Sequence, residues 1–332
     1  MANQNEKNLN GNNLIGVEYD MDKKDFQRCL VAAEISTFVD AQGVNKPKSI
    51  FTVAQPGAGK TALKSYIINE AQKNDDFLKF IEFNPDEIST HHKYYSEIIE
   101  KYPDNSHQIL QRFTRIALDE YLRQRAVEMR CNIMQEGTFG STEGYINILD
   151  FQKNGGNAEI GEVQKNGKRK IKHVNGNYEI EINLMAVNRY ESLLSCFERE
   201  QDFAEMKLPP RAVTIENHDR AYDKMLETVA IVEREKLFDK MRVFKRGYVE
   251  SKPELIYIAG DNRFPSVVDA IKSERDKQQR ELFNNPDQYI KRMENLNKRA
   301  KEYNNSSLIR RLDNLNNTFT KELNQYNNCI EK

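Results

Sequence analysis

The sequence predicts an α/β fold: a mostly parallel sheet flanked by helices, with an inserted β-hairpin and a helical C-terminal appendage. Three observations predict it. A β-branched and aromatic run, Ile50-Phe51-Thr52-Val53, leads into a loop with one proline and two glycines and then into a helix. Further short apolar runs, Phe77–Phe83, Cys131–Met134 and Tyr178–Val187, recur with helical segments between them. Beyond about Gly260 the strand-like runs stop, and charged, Asn-rich sequence with helical spacing takes over.

Taken in order, residues 1–20 form a polar tail, read as disordered, without the basic and apolar regions of a signal peptide. From Met21, residues Phe26, Cys29, Leu30, Ala33, Ile35 and Phe38 recur at helical spacing until Gly43 and Pro47 stop the helix. The strand at Ile50–Val53 follows, then the glycine loop and its helix, then a second strand over Phe77–Phe83 that ends at Asn84-Pro85-Asp86. Asn105-Ser106 caps a long helix reaching Met129, and a third strand, Cys131–Met134, ends at Gln135-Glu136-Gly137-Thr138. A helix from Ser141 to about Lys153 leads to residues 157–175. There Lys165-Asn166-Gly167-Lys168 is a type I′ turn pattern, so the segment reads as an inserted β-hairpin with a solvated basic face. Ile180, Ile182 and Leu184 mark the fourth core strand, and a helix from Tyr190 to about Phe203 carries Arg199. After Pro209-Pro210-Arg211, Asn217 or Asp219 caps a helix reaching Phe238, and Met241–Phe244 and Leu255–Ala259 make a terminal pair of strands. The predicted organisation is therefore a tail (1–20), one α/β domain (21–260) and a helical extension (261–332) whose Leu308, Leu312, Leu315 and Phe319 are heptad-like fragments.

Composition bounds the function. With 50 Lys and Arg against 51 acids, the net charge of −1 gives no global electrostatic case for binding nucleic acid or membrane. No apolar run approaches the roughly 18 residues that span a bilayer. Cys29, Cys131, Cys196 and Cys329 lie far apart without metal-like spacing, which reads as free thiols in a reducing cytoplasm.

The chemistry centres on the strand–loop–helix at Ser49–Leu63. In the pattern G-x-x-x-x-G-K-[ST], Gly59, Lys60 and Thr61 are present and Ala54 takes the first position, so the fold is P-loop NTPase/kinase-like. Backbone N–H groups over Gly57, Ala58, Gly59, Lys60, Thr61 and Ala62 suit a triphosphate, Lys60 suits the β/γ-phosphates, and the Thr61 hydroxyl suits Mg²⁺. Asp86 and Glu136 stand at strand ends, where ligand chemistry gathers in open α/β sheets, and Arg199 and Arg211 follow downstream. This is a parts list for phosphoryl transfer, which consists mainly of positioning and charge neutralisation. Judged alone, Asp86 and Glu136 also suit helix caps, and the two arginines also suit surface ion pairs.

These motifs together resemble the zeta toxin family of P-loop kinases, the toxin half of bacterial epsilon/zeta toxin–antitoxin pairs. The resemblance rests on AQPGAGKT, on Asp86 followed by His92, and on Glu136-Gly137-Thr138. It continues through AVNRYESLLSCFERE with Arg199 and PPRAVTIENHD with Arg211 and His218, over about residues 22–245. It implies an ATP- and Mg²⁺-dependent kinase that phosphorylates the 3′-hydroxyl of the amino sugar of UDP-N-acetylglucosamine and so blocks peptidoglycan synthesis. It further implies Asp86 as base, His92, Glu136 and Thr138 on the acceptor, Lys60 and Thr61 on triphosphate and metal, and Arg199 with Arg211 on the moving phosphate. A small helical epsilon-type antitoxin is the implied partner. Gly140 stands where the family commonly has arginine, and Lys93 where it has proline. Both departures lie near the expected sugar site, so a related kinase acting on another UDP-sugar or dinucleotide hydroxyl is the alternative, with a nucleotide-binding module lacking transfer activity as the third reading.

Overall fold

A computed structural model describes residues 16–73, 79–102, 106–160, 164, 169–208, 212–247 and 252–330. In chain order its elements are α1 (Lys23–Phe38), β1 (Lys48–Val53), α2 (Lys60–Gln72), β2 (Ile81–Glu82), α3 (Pro85–Ser89), α4 (Tyr95–Lys101), α5 (Ser106–Ala117), α6 (Arg123–Glu128), β3 (Ile133–Gly137), α7 (Thr142–Asn154), β4 (Gly156–Ala158), β5 (Lys172–Val174), β6 (Glu179–Ala186), α8 (Arg189–Glu205), α9 (Ile215–Arg234), β7 (Lys240–Lys245), β8 (Glu254–Ile258), α10 (Val267–Asn284), α11 (Asp287–Glu302) and α12 (Ser306–Ile330). They group into two units: one from residues 1–45, 80–132 and 155–176, the other from 46–79, 133–154 and 177–332.

The second unit is the α/β part. Its strands run β3-β1-β6-β7-β8. The first four are parallel and β8 is antiparallel on the edge. In register, Val53 pairs with Gly137 on one side and Leu184 on the other, and Ala186 pairs with Lys245. The carboxyl ends of the four parallel strands therefore align, and the residues that follow them occupy one edge, the usual place for ligand chemistry in such sheets. All of β1 after Lys48 is buried, which is why its sequence reads as a continuous apolar run rather than an alternating one.

The extension beyond Gly260 is not a separate packing layer. Leu308, Leu312, Leu315 and Phe319 of α12 share one core with Tyr190, Leu193, Leu194 and Phe197 of α8, completed by Phe283 of α10 and Tyr289 of α11. Their spacing marks the apolar stripe of a helix on a globular core, not a coiled-coil seam. The boundary expected near residue 260 thus falls inside one unit, because α8 needs the C-terminal helices to cover its apolar face.

The first unit is mostly helical. The Asp22 carboxylate caps α1 by accepting from the Lys24 and Asp25 N–H groups, both at 2.8 Å. Val17–Tyr19 make a single 3₁₀ turn, and Tyr19 is buried with Ile98 and Leu110, so the tail expected over 1–20 ends earlier than Asp20. The long helix expected to Met129 loses its α pitch at Leu118–Leu122, a wide π turn that faces Leu118, Tyr121 and Leu122 inward. The hairpin expected at 157–175 is present as the antiparallel pair β4–β5, with Asn157 opposite His173; its turn, Lys165–Lys168, lies outside the described residues. Of the strand expected over Phe77–Phe83 only Ile81–Glu82 pairs, and 74–78 are not described. No described helix is long and apolar enough to cross a membrane.

Candidate functional site

The phosphate loop follows from two glycines. Gly57 has φ +74° and Gly59 φ +91°, values an L side chain rarely adopts. At Gly57 space forbids a side chain as well, since a Cβ there would sit 2.0 Å from the Ser192 carbonyl oxygen of α8. Gly59 in its left-handed conformation is the N-cap of α2, and the Ala54 N–H is tied to the Gly137 carbonyl at 3.1 Å, which fixes the loop to the end of β3. The positive end of α2 therefore opens on the strand-end edge.

Lys60, first residue of α2, donates from Nζ to the Ala54 carbonyl at 3.0 Å and the Gln55 carbonyl at 3.2 Å. Burial pulls its pKa down to about 8; Glu136 acts in the opposite direction and Arg199 in the same one. Lys60, Glu136 and Arg199 are thus brought within electrostatic reach of one another. Arg199 is exposed on α8, while Cys196, one turn before it, is buried with its thiol pushed up to about 11, which makes it a packing group rather than a nucleophile. Thr61 and Ala62 are exposed on the first turn of α2.

Glu136 lies within β3, not beyond it: the strand runs to Gly137, later than the Cys131–Met134 expected, so the Glu-Gly-Thr triplet starts inside the ladder. Its carboxylate meets Lys64 Nζ at 3.1 Å, one turn along α2 from Lys60. Thr138 follows at the strand end, where its Oγ1 accepts from the Gly140 N–H at 3.2 Å.

Asp86 and His92 belong to the other unit. Asp86 is exposed in the first turn of the short helix α3, and its N–H donates to the Asn84 side chain at 3.1 Å. Asn84, not Asp86, is therefore the cap. His92 is buried, its ring against Phe113 and Tyr94 and its Nδ1 accepting from the Tyr94 N–H at 3.2 Å; burial lowers its pKa, so it is held neutral. Lys93, the residue in place of the family's proline, bonds Asp25 at 2.5 Å. Arg211 lies outside the described residues.

Sequence reasoning missed Arg246. It directly follows β7, and its Nη1 donates to Ser195 Oγ at 2.9 Å and to the Gly57 carbonyl at 3.4 Å. With Lys245, Gly247, Lys252 and Gln278 it lines a polar cavity of about 230 Å³. The pattern Phe-Lys-Arg-Gly after an apolar run could have flagged it, as the other strand-end residues were flagged. Among the described residues no group of three His, Cys, Asp or Glu side chains could hold a metal ion.

Comparison with known proteins agrees with this architecture. A 24% identity over 206 residues relates the chain to toxin zeta of Enterococcus hirae, covering 62% of this chain and 63% of that protein. Toxin zeta of Streptococcus pyogenes is 23% identical over 206 residues, covering 62% of each. The matched stretch thus spans less than two thirds of either relative's length. Among solved structures, the PezAT chromosomal toxin–antitoxin system of Streptococcus pneumoniae shares the fold, with a TM-score of 0.58 at 17% identity over 77% of this chain and 88% of that one. The zeta toxin family model matches residues 33–166 and 160–251, and the chain belongs to the zeta toxin family.

Proposed function

We propose that the protein is a cytoplasmic toxin kinase that transfers the γ-phosphate of ATP to the 3′-hydroxyl of the amino sugar of UDP-N-acetylglucosamine, blocking cell-wall synthesis. The observation that carries the reading is the loop itself: two glycines in left-handed conformation leave no side chain over the N-terminus of α2, where Lys60 and Thr61 stand. In this reading Lys60 and the loop N–H groups hold the triphosphate, and Arg199 with Arg211 neutralises charge on the transferring group. The acceptor oxygen bonds to the γ-phosphorus, the bond to the β,γ-bridging oxygen breaks, ADP leaves, and the hydroxyl proton passes to Asp86. Glu136, Thr138 and His92 bind the acceptor. The Thr61 hydroxyl, with phosphate oxygens, would hold a Mg²⁺ ion, which when bound would supply charge neutralisation. A small helical antitoxin of the epsilon type completes the reading as partner.

A second reading keeps the kinase and changes the acceptor. Gly140 offers no cation where the family has arginine, and Lys93 is committed to Asp25. Incubating the full chain with ATP, Mg²⁺ and a mixture of nucleotide sugars and dinucleotides, then reading products by mass spectrometry, separates the two. One added phosphate on UDP-N-acetylglucosamine, absent with Lys60→Ala, is the expected result. A phosphate on another metabolite alone would move the substrate, and no product from any acceptor would leave a binding module.

A further inference from the structure

Behind the phosphate loop lies a buried polar chain that the transfer chemistry does not use. Gln55, the second loop residue, is fully buried; its Nε2 donates to the Val187 carbonyl at 2.9 Å and to Ser192 Oγ at 3.2 Å, and its Oε1 accepts from Arg275 Nη2 at 3.1 Å. Ser192 Oγ is 2.9 Å from His218 Nε2, and His218 Nδ1 is 3.1 Å from Asp219 Oδ1. Arg189 closes the far end with two bonds to Asp219, at 2.8 and 2.7 Å.

The proton positions follow from the end group. A carboxylate paired with arginine only accepts, so His218 carries its proton on Nδ1 and offers Nε2 as acceptor to the Ser192 hydroxyl. The Ser192 oxygen then has a lone pair for the Gln55 amide. With the Ser192 proton turned to His218 rather than to the Asn188 or Arg189 carbonyls, which lie 3.0 and 3.1 Å from the same hydroxyl, donors point one way along the run: Arg275 to Gln55, Gln55 to Ser192, Ser192 to His218 and His218 to Asp219. The Ser-His-Asp order matches a nucleophilic triad, yet Ser192 and His218 are both 0% exposed, so no acyl donor reaches the hydroxyl.

What the chain does touch is the loop. The Gln55 carbonyl accepts from Lys60 Nζ, and the Ser192 carbonyl fills the space a Gly57 side chain would need. At its other end Arg275 comes from α10, in the C-terminal segment. It is 3% exposed, lies over the Tyr222 ring at 3.6 Å and bonds the Tyr222 carbonyl at 3.2 Å, while its Nε has no hydrogen-bond partner among the described residues. Burying a guanidinium with one orphaned donor is costly, and its described side-chain acceptor is the loop glutamine.

We propose that Arg275 and His218 are positioning residues of the phosphate loop: from α10 and α9 they hold the Gln55 amide in one orientation, which makes the C-terminal helices a working part of the nucleotide site. The inference rests on the reading of the loop as that site.

The test is calorimetric binding of Mg·ATP to the full-length protein, with thermal unfolding measured on the same samples. Arg275→Met keeps a flexible apolar stem over Tyr222 and removes the donor; His218→Phe removes the acceptor. Each is expected to weaken ATP about tenfold, and the double variant to weaken it by little more than either, because one break already frees Gln55. His218→Gln, whose amide can still accept from Ser192, should recover most of the loss. Arg299→Ala, which deletes ion pairs to Asp202 and Glu205 in the last turn of α8, should lower the unfolding temperature and leave ATP affinity within about twofold. Unchanged affinity in folded Arg275→Met, fully multiplicative losses in the double variant, or an equal loss in Arg299→Ala would overturn the inference alone. A folded wild type that binds no ATP would overturn the nucleotide reading and this inference with it.

Discussion

Lys60 Nζ donates to the Ala54 carbonyl at 3.0 Å, so the ammonium is anchored to the start of its own loop. Burial lowers its pKa to about 8, against about 10.4 in an unfolded chain. Between those values the unfolded chain binds more protons than the folded one, so stability rises with pH across that window. In the proposed reading triphosphate recognition runs the other way, because it needs the ammonium. ATP affinity is expected to be flat below about pH 7.5 and to fall by up to about tenfold per unit above pH 8, while the unfolding temperature climbs. Calorimetry and thermal unfolding over that range check both trends, and Lys60→Met should flatten both.

Asp86 is exposed and stands in the first turn of α3, capped by Asn84 rather than acting as the cap. In the proposed reading this carboxylate is the base, and the cap of its helix comes from Asn84. Asp86→Ala is expected to lower kcat/KM by about 10²–10⁴ while leaving ATP affinity and unfolding temperature within experimental spread. Retained turnover would remove Asp86 from the mechanism.

How far the sequence could be read depended on the range of the interaction. The strand–loop–helix at Ile50–Ala62 was legible because every piece of it is local: a buried run, glycines with positive φ and a helix start. The leucines of α12 were legible as an apolar face, but their partners, Tyr190 and Phe197, were not, since periodicity fixes a face and says nothing of what covers it. Arg246 looked like any surface charge until β7 was placed parallel to β6, which carries its end to the loop. The Ser192–His218 contact joins two helices through side chains 26 residues apart and has no local signature. The cap of α9 was misassigned for a smaller reason: Thr214, not Asn217 or Asp219, accepts the Asn217 N–H at 3.1 Å, and Asp219 is engaged by Arg189.

Gly57 offers a steric test. A methyl group there meets the Ser192 carbonyl at 2.0 Å and forces alanine to φ +74°. Backbone has little room to give on either side, so Gly57→Ala is expected to cost about 2 kcal/mol or more and to abolish ATP binding. Gly140→Ala is the control: its added Cβ meets only the Thr138 hydroxyl, at 3.0 Å, and should change stability by under about 1 kcal/mol. Urea titration compares the two.

Asp219 should shape the acid limb of stability. Burial alone would raise its pKa, but the hydrogen bonds from His218 and Arg189 hold it down at about 2. A carboxyl depressed below its unfolded value contributes stability at pH above about 4 that is lost as pH falls toward 2. Asp219→Asn is therefore expected to be less stable at neutral pH and to show a shallower acid slope, read from urea midpoints between about pH 2 and 6. An unchanged slope would mean the carboxyl titrates alike folded and unfolded.

The C-terminal helices make the last test, because the α/β unit should not survive losing their core. Phe319 of α12 is 1% exposed, its ring 4.6 Å from that of Tyr289, 5.2 Å from Tyr190 and 5.7 Å from Phe283, so three helices converge on one side chain. Phe319→Ala is expected to destabilise by about 3–5 kcal/mol through lost transfer energy and the cavity left behind. Since Tyr190 stands in the first turn of the helix whose Ser192 backs the phosphate loop, the loss should appear as one transition in which helix signal and ATP-protected signal fall together. Were α12 an independent appendage, Phe319→Ala would melt helix at low urea and leave the ATP-protected transition where it is in the wild type.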